Sequence, residues 1–303
     1  MDTQKITYLS GSGNIFTAVD NSFLNEPKEF YAQNSVKLTQ ENIPLNRNTE
    51  GVIVLNPSLN YDFEVWFFNP DGSSGMMCGN GGRSAIYLAI KNGYVPNYKD
   101  NTAVSFEMNG KIYSGQKNND IYSIYFPTNA IYLQEKDIEI VVDGKTFLVK
   151  GSYVDVGTDH YVIETKILDN TDTDIDKIDV DKIGAVVRNH HEFQPRGTNV
   201  NFFAKTQESN VVRLRTYERG VEKETGACGT GAISTALVYF QKYKYISNPL
   251  KIIPTSYSPL FVDLCLNKNR IDDDLKTDFN LTNNDLIEAI ENIVLSGFVD
   301  ELK

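Results

Sequence analysis

Cysteine, histidine and tryptophan are scarce in this chain: three Cys, three His and one Trp among 303 residues. Three cysteines in so long a chain do not make a disulfide framework. Lacking CxxC pairs and histidine clusters, they do not make a zinc site either, so no metal is expected. No apolar run approaches membrane-spanning length. The opening residues, MDTQKITYLSGSGN, carry neither a basic stretch nor an apolar one of the kind that directs secretion. A cytoplasmic protein with no membrane partner is therefore expected. Basic residues are outnumbered, 29 Lys and Arg against 40 Asp and Glu, for a net charge of −11. That balance argues against nucleic acid as a partner and leaves room for a small anionic substrate in a locally positive pocket. The Gly-Lys-Ser/Thr ending of a phosphate loop is also missing.

What is present suits a packed core: 41% hydrophobic and 23% charged residues. Ten short segments have the β-branched and aromatic alternation of strands: KITYLSG, GVIVLN, DFEVWFFN, AVSFEMN, YSIYFP, IEIVVDG, TFLVKG, HYVIET, TNVNFFA and VVRLRTY. Cys265 sits in another such run, LFVDLCLN, and is expected to be an inert buried residue. Helical spacing is confined to GNGGRSAIYLAIKNG, which Gly93 would end with Pro96 beyond, to GTGAISTALVYFQKY, and more weakly to DVDKIGAVVRNH and TNNDLIEAIEN. The mixture indicates an α+β fold.

Two of the three cysteines share a context. MMCGNGG, Met76 to Gly82, and GACGTGA, Gly226 to Ala232, place Cys78 and Cys228 150 positions apart (228 − 78). Each follows a strand and a glycine-containing polar turn, and each opens a helix: VWFFNPDGSSGMMCGNG against LRTYERGVEKETGACGTG. Upstream, Asn14 precedes Cys78 by 64 residues and His160 precedes Cys228 by 68. The pattern predicts two pseudo-symmetric halves joined near FPTNA. The first covers residues 1–126 with about 290–303, and the second covers 127–289. An acidic insertion is expected at about 267–292, with a helix capped at Thr282.

A glycine-rich turn that opens a helix presents unpaired amide N–H groups and the positive end of the helix dipole, a cradle for a carboxylate. The same position makes a thiol more acidic. Glycine lets the backbone approach a ligand closely. Two such units suit inversion at an α-carbon: one thiolate removes the proton from one face and the opposite thiol returns one to the other, while the amides stabilise charge on the carboxylate.

NPDGSSGMMCGNGGRSA and ERGVEKETGACGTGA resemble the two active-site signatures of the diaminopimelate epimerase family. GSGN at Gly11–Asn14, FNPDGS, VGTDHYV, RGTNVNF and the final IVLSGFVDEL fall in the family's order. The resemblance implies a cofactor-independent isomerase that interconverts LL- and meso-2,6-diaminopimelate for lysine and peptidoglycan precursors. It implies halves that each wrap a curved, mixed or antiparallel sheet around a central helix, an active site in the cleft between them, and a small amino-acid substrate; it allows a homodimer. Cys78 and Cys228 would be the catalytic acid and base. Gly79, Asn80, Gly229 and Thr230 would hold the reacting carboxylate, while Asn14, Asn69, Thr158, Asn199, Glu218 and Arg219 would hold the rest of the substrate. His160 and Glu218 would tune the cysteines. The chain departs from the family's pattern at Ile15, where Asp is usual, at Leu45–Gly51, at Thr158-Asp159 in place of Asn-Pro, and by one extra residue in GVEKET. The alternative is another two-cysteine racemase of the same fold, acting on proline or hydroxyproline; such proteins usually carry His where this chain has Asn80.

Overall fold

Apolar–polar alternation becomes strand pairing along most of the chain. The computed structural model describes residues 6–40, 48–74, 77–126, 128, 131–165, 174–244, 249–267 and 287–302. Residue contacts divide the chain into two units, Met1–Tyr125 with Ser296–Lys303, and Phe126–Leu295.

In the first unit, strands β1 (Ile6–Gly11), β2 (Asn14–Asp20), β3 (Val52–Asn56), β4 (Phe63–Phe68), β5 (Val104–Met108), β6 (Lys111–Asn118) and β7 (Ile121–Phe126) bond in chain order. Their pairings run antiparallel, parallel, antiparallel, parallel, antiparallel, antiparallel. A parallel pair needs a crossover. Helix α1 (Lys28–Gln40) makes the one from β2 to β3, and α2 (Gly79–Lys91) the one from β4 to β5. Both helices pack on β3, whose VIVLN is buried at all five positions. A strand covered on both faces has no use for polar alternation.

The second unit repeats the scheme. Strands β8 (Tyr132–Val142), β9 (Lys145–Asp155), β10 (Asp159–Glu164), β11 (Asn199–Lys205), β12 (Val211–Glu218), β13 (Lys223–Glu224), β14 (Leu250–Ile253) and β15 (Leu260–Leu266) follow chain order, with the short β13 paired only to β12. From β9 onward the pairings are antiparallel, parallel, antiparallel, parallel, antiparallel, the same succession as from β1. Helix α3 (Val180–Arg188) crosses from β10 to β11 and α4 (Gly229–Tyr243) from β12 to β14. The last strand, β16 (Ile290–Leu302), pairs antiparallel with β1 through Val299–Leu302, as β8 pairs antiparallel with β9. The duplication inferred from two cysteine motifs is thus a duplication of topology.

Both cysteine helices are central to their units. Helix α4 buries thirteen of its fifteen residues and packs on β9, β10, β11 and β15. Helix α2 buries ten of thirteen and packs on β1, β2, β3, β4 and β6. Small and apolar residues on all sides, as in GTGAISTALVYF, are what a helix enclosed by sheet requires.

Several expectations change. Helix α1 has no counterpart in the sequence reading, because KEFYAQNSVKLTQ carries little amphipathic signal. It is held by the burial of Tyr31, whose hydroxyl donates to Asn21 Oδ1 at 2.6 Å, and by Ser35 and Thr39 hydroxyls bonding back to the carbonyls of Tyr31 and Ser35. In TNNDLIEAIEN one helical turn covers residues 287–289, and Ile290 already begins β16. Most of the acidic insertion, residues 268–286 with Thr282, lies outside the described residues. Helix α2 ends at Lys91 with Asn92 as its cap, and Gly93 follows at φ +80°. Cys265 is half-buried rather than buried, since Leu260, Val262 and Leu264 take the inward face of β15.

Helix α3 meets β12 at Gly184, where an added Cβ would lie 2.5 Å from Tyr217 Cβ and 2.6 Å from its Cγ. Gly184→Ala is expected to destabilise the protein by about 1–3 kcal/mol through overpacking. A urea titration in which the variant's midpoint matches wild type would show that this contact is not tight.

Candidate active site

Cys78 is the N-cap residue of α2, in extended conformation at φ −109° and ψ 103°. Its Sγ accepts from the Gly81 N–H at 3.3 Å, so the sulfur takes the place usually held by a Ser or Asp oxygen. Gly79, Asn80, Gly81 and Gly82 are all buried. A Cβ on Gly81 would come within 3.1 Å of Phe67 and 3.2 Å of the Cys78 sulfur, and one on Gly82 within 2.7 Å of Ile124. The first turn is therefore packed as glycine. Asn80 Nδ2 donates to Asn14 Oδ1 at the start of β2, and Asn14 Nδ2 donates to Glu50. On its other side Asn80 Oδ1 accepts from Arg83 Nη2 at 2.6 Å. Arg83 is fully buried, and burial pushes its guanidinium down to about 9.

Cys228 holds the same place at the start of α4, at φ −124° and ψ 113°, and is buried. Its Sγ lies 3.6 Å from Thr230 Oγ1, and Thr230 Oγ1 lies 3.0 Å from His160 Nε2. His160 stands at the start of β10 as Asn14 stands at the start of β2, and each reaches the residue two after its cysteine. The imidazole is fully buried and also contacts Thr158 Oγ1 at 2.9 Å and Asn201 Nδ2 at 3.0 Å. Burial, with the nearby Arg219 charge, pushes His160 down to about 3, against Asp159 and Asn201. The ring is therefore neutral at physiological pH. With Asn201 donating to Nδ1, the hydrogen rides on Nε2, toward the two threonines. His160 thus reaches Cys228 through Thr230, as a neutral hydrogen-bonding group and not as a cation.

A third cluster gathers the remaining candidates of the second unit. Asn199, at the start of β11, donates from Nδ2 to the Asp159 carbonyl at 2.9 Å and accepts the Arg219 N–H at 2.8 Å. Arg219 Nη1 donates to Asp159 Oδ2 at 2.9 Å. Asp159 is 4% exposed, and its Oδ1 accepts from Arg196 at 2.7 Å and from the Tyr153 hydroxyl at 2.5 Å. Glu218 accepts from Thr225 Oγ1 at 2.9 Å. In the first unit, Asn69 closes the turn ahead of Cys78: its N–H donates to the Ser73 carbonyl at 2.8 Å and its Nδ2 to Ser73 Oγ at 2.9 Å. Gly72 completes that turn at φ +85°, where a Cβ would run into the Ala32 carbonyl.

Asp159, Arg83, Asn201, Glu50 and Ser12 are the residues that sequence reasoning did not place in a site. Asp159 was visible only as a departure from a pattern. Arg83 left one signal, a lone charge inside the small and apolar run GNGGRSAIYLAI. Among the described residues no group of three or more His, Cys, Asp or Glu is gathered for a metal, and no helix is long and apolar enough to cross a membrane.

The His160 environment generates a stability signature. Its folded-state value lies below the ordinary 6.5, so the neutral folded form contributes stability that is present above the unfolded value. That contribution falls away as pH drops from about 6.5 toward about 3. His160→Gln is expected to flatten this part of the pH–stability profile relative to wild type. Parallel profiles by chemical denaturation across that range would contradict the assignment.

The family model for diaminopimelate epimerase matches residues 152–255. Over 266 residues, 84% of this chain and 88% of the relative, the sequence is 33% identical to a diaminopimelate epimerase of Aquifex aeolicus (strain VF5). It is 34% identical over 257 residues to one of Hydrogenobaculum sp. (strain Y04AAS1), covering 83% and 88% of the two chains. Among solved structures the fold resembles a Bacillus anthracis phenazine biosynthesis protein of the PhzF family, at TM-score 0.69 and 13% identity, covering 100% and 98% of the chains. It also resembles a hydroxyproline epimerase from Agrobacterium vitis with bound trans-4-OH-L-proline, at TM-score 0.66 and 12% identity, covering 100% and 92%. At such identities these two establish the fold, and the closer relatives establish the lineage: the chain belongs to the diaminopimelate epimerase family.

Proposed function

We propose that this chain interconverts LL- and meso-2,6-diaminopimelate by proton transfer at the α-carbon, with Cys78 and Cys228 as the acid–base pair and no cofactor. The observation that carries the reading is the paired construction of the half-sites. Each cysteine is the N-cap residue of a buried helix at the same point of a repeated topology, with glycine packed around it. In this reading both half-sites serve one substrate. The α-carboxylate lies against the amides of Gly79 and Asn80 and of Gly229 and Thr230, at two helix N-termini. One sulfur, as thiolate, takes the α-proton. The other, as thiol, gives a proton to the opposite face. Charge that develops on the carboxylate is met by amide dipoles that need no reorganisation. The product serves lysine and peptidoglycan precursor synthesis, and the reading places the chain in the cytoplasm.

Asn199, Glu218 and Arg219 hold the distal end. A guanidinium suits the distal carboxylate and an acid the distal ammonium. Asp159 keeps Arg219 from swinging, and Arg196 bonds the same carboxylate while lying 3.9 Å from Asp155. Distal binding energy then orients the reacting centre.

The decisive test is deuterium incorporation from heavy water at the α-carbon of LL-diaminopimelate. Wild type should exchange and epimerise, and Cys78→Ala and Cys228→Ala should each abolish epimerisation. Near-normal turnover by either variant would replace the two-base scheme with a one-base one.

Specificity is tested at Arg219. Arg219→Met should lower kcat/KM for diaminopimelate by a factor equivalent to about 2 kcal/mol or more, since a carboxylate loses its charged partner. Brisk wild-type racemisation of proline or alanine, indifferent to this substitution, would favour a racemase of another substrate class.

A further inference from the structure

Asn14 and Asn80 meet side chain to side chain in the first half-site, and both are buried. Asn14 Nδ2 donates to Glu50 Oε2, Asn80 Nδ2 donates to Asn14 Oδ1, and Asn80 Oδ1 accepts from Arg83 Nη2 at 2.6 Å. These four side chains form a line of hydrogen bonds with a single direction. A carboxylate only accepts and a guanidinium only donates, whereas a carboxamide does one at each end. Were the Asn14 carboxamide turned over, its oxygen would face the Glu50 carboxylate and its nitrogen the Asn80 nitrogen. Were Asn80 turned over, its nitrogen would face Arg83 and its oxygen the Asn14 oxygen. Either reversal sets donor against donor and acceptor against acceptor away from water, which is costly.

Both ends of the line are fixed by the fold. Glu50 reaches Asn14 because its segment runs beside β2: the Glu50 N–H donates to the Ile15 carbonyl at 2.7 Å, and the Thr17 N–H donates to the Gly51 carbonyl at 3.0 Å. Gly51 permits the close packing there, since a Cβ would lie 2.7 Å from the Phe67 ring and 2.9 Å from the Phe68 carbonyl oxygen. At the other end Arg83 is 0% exposed, with Nη1 and Nη2 each 3.2 Å from Ser12 Oγ. A Cβ on Gly297 of β16 would run into Nη1 and Ser12 Oγ, so the guanidinium has no room to withdraw on that side. The backbone of Asn80 is held as well. Its carbonyl accepts from Ser84 Oγ at 3.0 Å, and a Cβ on Gly11 would lie 2.8 Å from the same oxygen.

The Asn80 side chain thus spends both its ends on the protein. What it can offer a ligand is its main-chain N–H in the first turn of α2, and the orientation of that group follows from where the carboxamide is tied. Glu50, 30 residues before Asn80 in the chain (80 − 50), bears on that orientation through Asn14.

We propose that Glu50 and Arg83 are positioning residues of the first half-site: as an acceptor that cannot donate and a donor that cannot accept, they set the direction of the Asn14 and Asn80 carboxamides, and through Asn80 they aim the N–H that meets the reacting carboxylate. The last part rests on the reading above that places the carboxylate at Gly79 and Asn80.

The test follows the carboxamide signals of Asn14 and Asn80 by NMR in substrate-free, isotope-labelled protein, alongside kcat and KM for diaminopimelate. In wild type the carboxamide hydrogens of both residues should exchange with water as slowly as the helix amides around them. Glu50→Leu removes the acceptor, and the Asn80 carboxamide signal should shift and exchange faster, although the bond that is lost is to Asn14. Arg83→Met should move the Asn14 signal from the opposite end. In Glu50→Leu kcat should fall by about tenfold to hundredfold, the effect of a misplaced charge-stabilising amide, with a smaller change in KM. Glu50→Gln keeps a side-chain oxygen that accepts, so it should keep the Asn80 signal and most of kcat. A merely structural carboxylate would lower stability without moving the Asn80 signal. The proposal is overturned if folded Glu50→Leu leaves either the Asn80 signal or kcat as in wild type, or if Glu50→Gln loses as much as Glu50→Leu. Should the Leu and Met variants fail to fold, wild-type exchange decides, and fast exchange of either carboxamide overturns the proposal. The NMR arm involves no substrate, so its failure would leave the epimerase reading intact. A wild type that exchanges no deuterium would overturn that reading and leave the direction of the carboxamides standing.

Discussion

A buried helix must begin somewhere, and its first amides have no partners within the helix. In this protein a cysteine stands at that point in both units, and the Cys78 sulfur accepts from the Gly81 N–H. The helix is enclosed by sheet, its cap is a cysteine, and its first turn is small enough to be packed from every side. Side chains at Gly81 or Gly82 would strike Phe67, the Cys78 sulfur or Ile124, and one at Gly231 would strike Asn201. The glycines that read as a ligand cradle are thus also a packing requirement. The parallel crossovers depend on the same helices, since a strand pair of that kind closes only over an intervening segment.

On this shared scaffold the half-sites carry different chemistry. The first runs through side-chain amides and a guanidinium, from Glu50 and Asn14 to Asn80 and Arg83. The second runs through hydroxyls and an uncharged imidazole, from Thr158 and His160 to Thr230. Repetition of topology thus places two thiols alike, while the side chains around them differ.

The cluster around Asp159 shows how a departure from a family pattern can be absorbed. A buried carboxylate is costly alone. Here it accepts from Tyr153, Arg196 and Arg219, while its own backbone carbonyl accepts from Asn199. Arg219 is thereby fixed by a side chain that the usual Asn-Pro form would not supply. Thr158, the other half of that departure, bonds to His160, so the pair of substitutions bears on two parts of the site at once.

Much of the fold was legible in the sequence because its signals are local. Period-two alternation marked the strands, and small apolar runs after Cys-Gly marked α2 and α4. Gly93 marked the end of α2 within two residues, since a positive φ is a property of one position. Helix α1 was not legible, because it is held by Tyr31 reaching Asn21 and not by its own pattern. The site divides the same way. Cys78 and Cys228 were singled out because a cysteine before a glycine run is a local signal, and both stand at helix N-caps. The bond from Asn80 to Asn14 joins positions 66 apart, and that from Arg219 to Asp159 joins positions 60 apart. The burial of Arg83 against β16 depends on strand pairing between the two ends of the chain. The sequence by itself determined the residue types, the repeat and the helix starts; the tertiary structure decided which charge is buried and which is paired, because desolvation and Coulomb interaction depend on distances that chain order does not set.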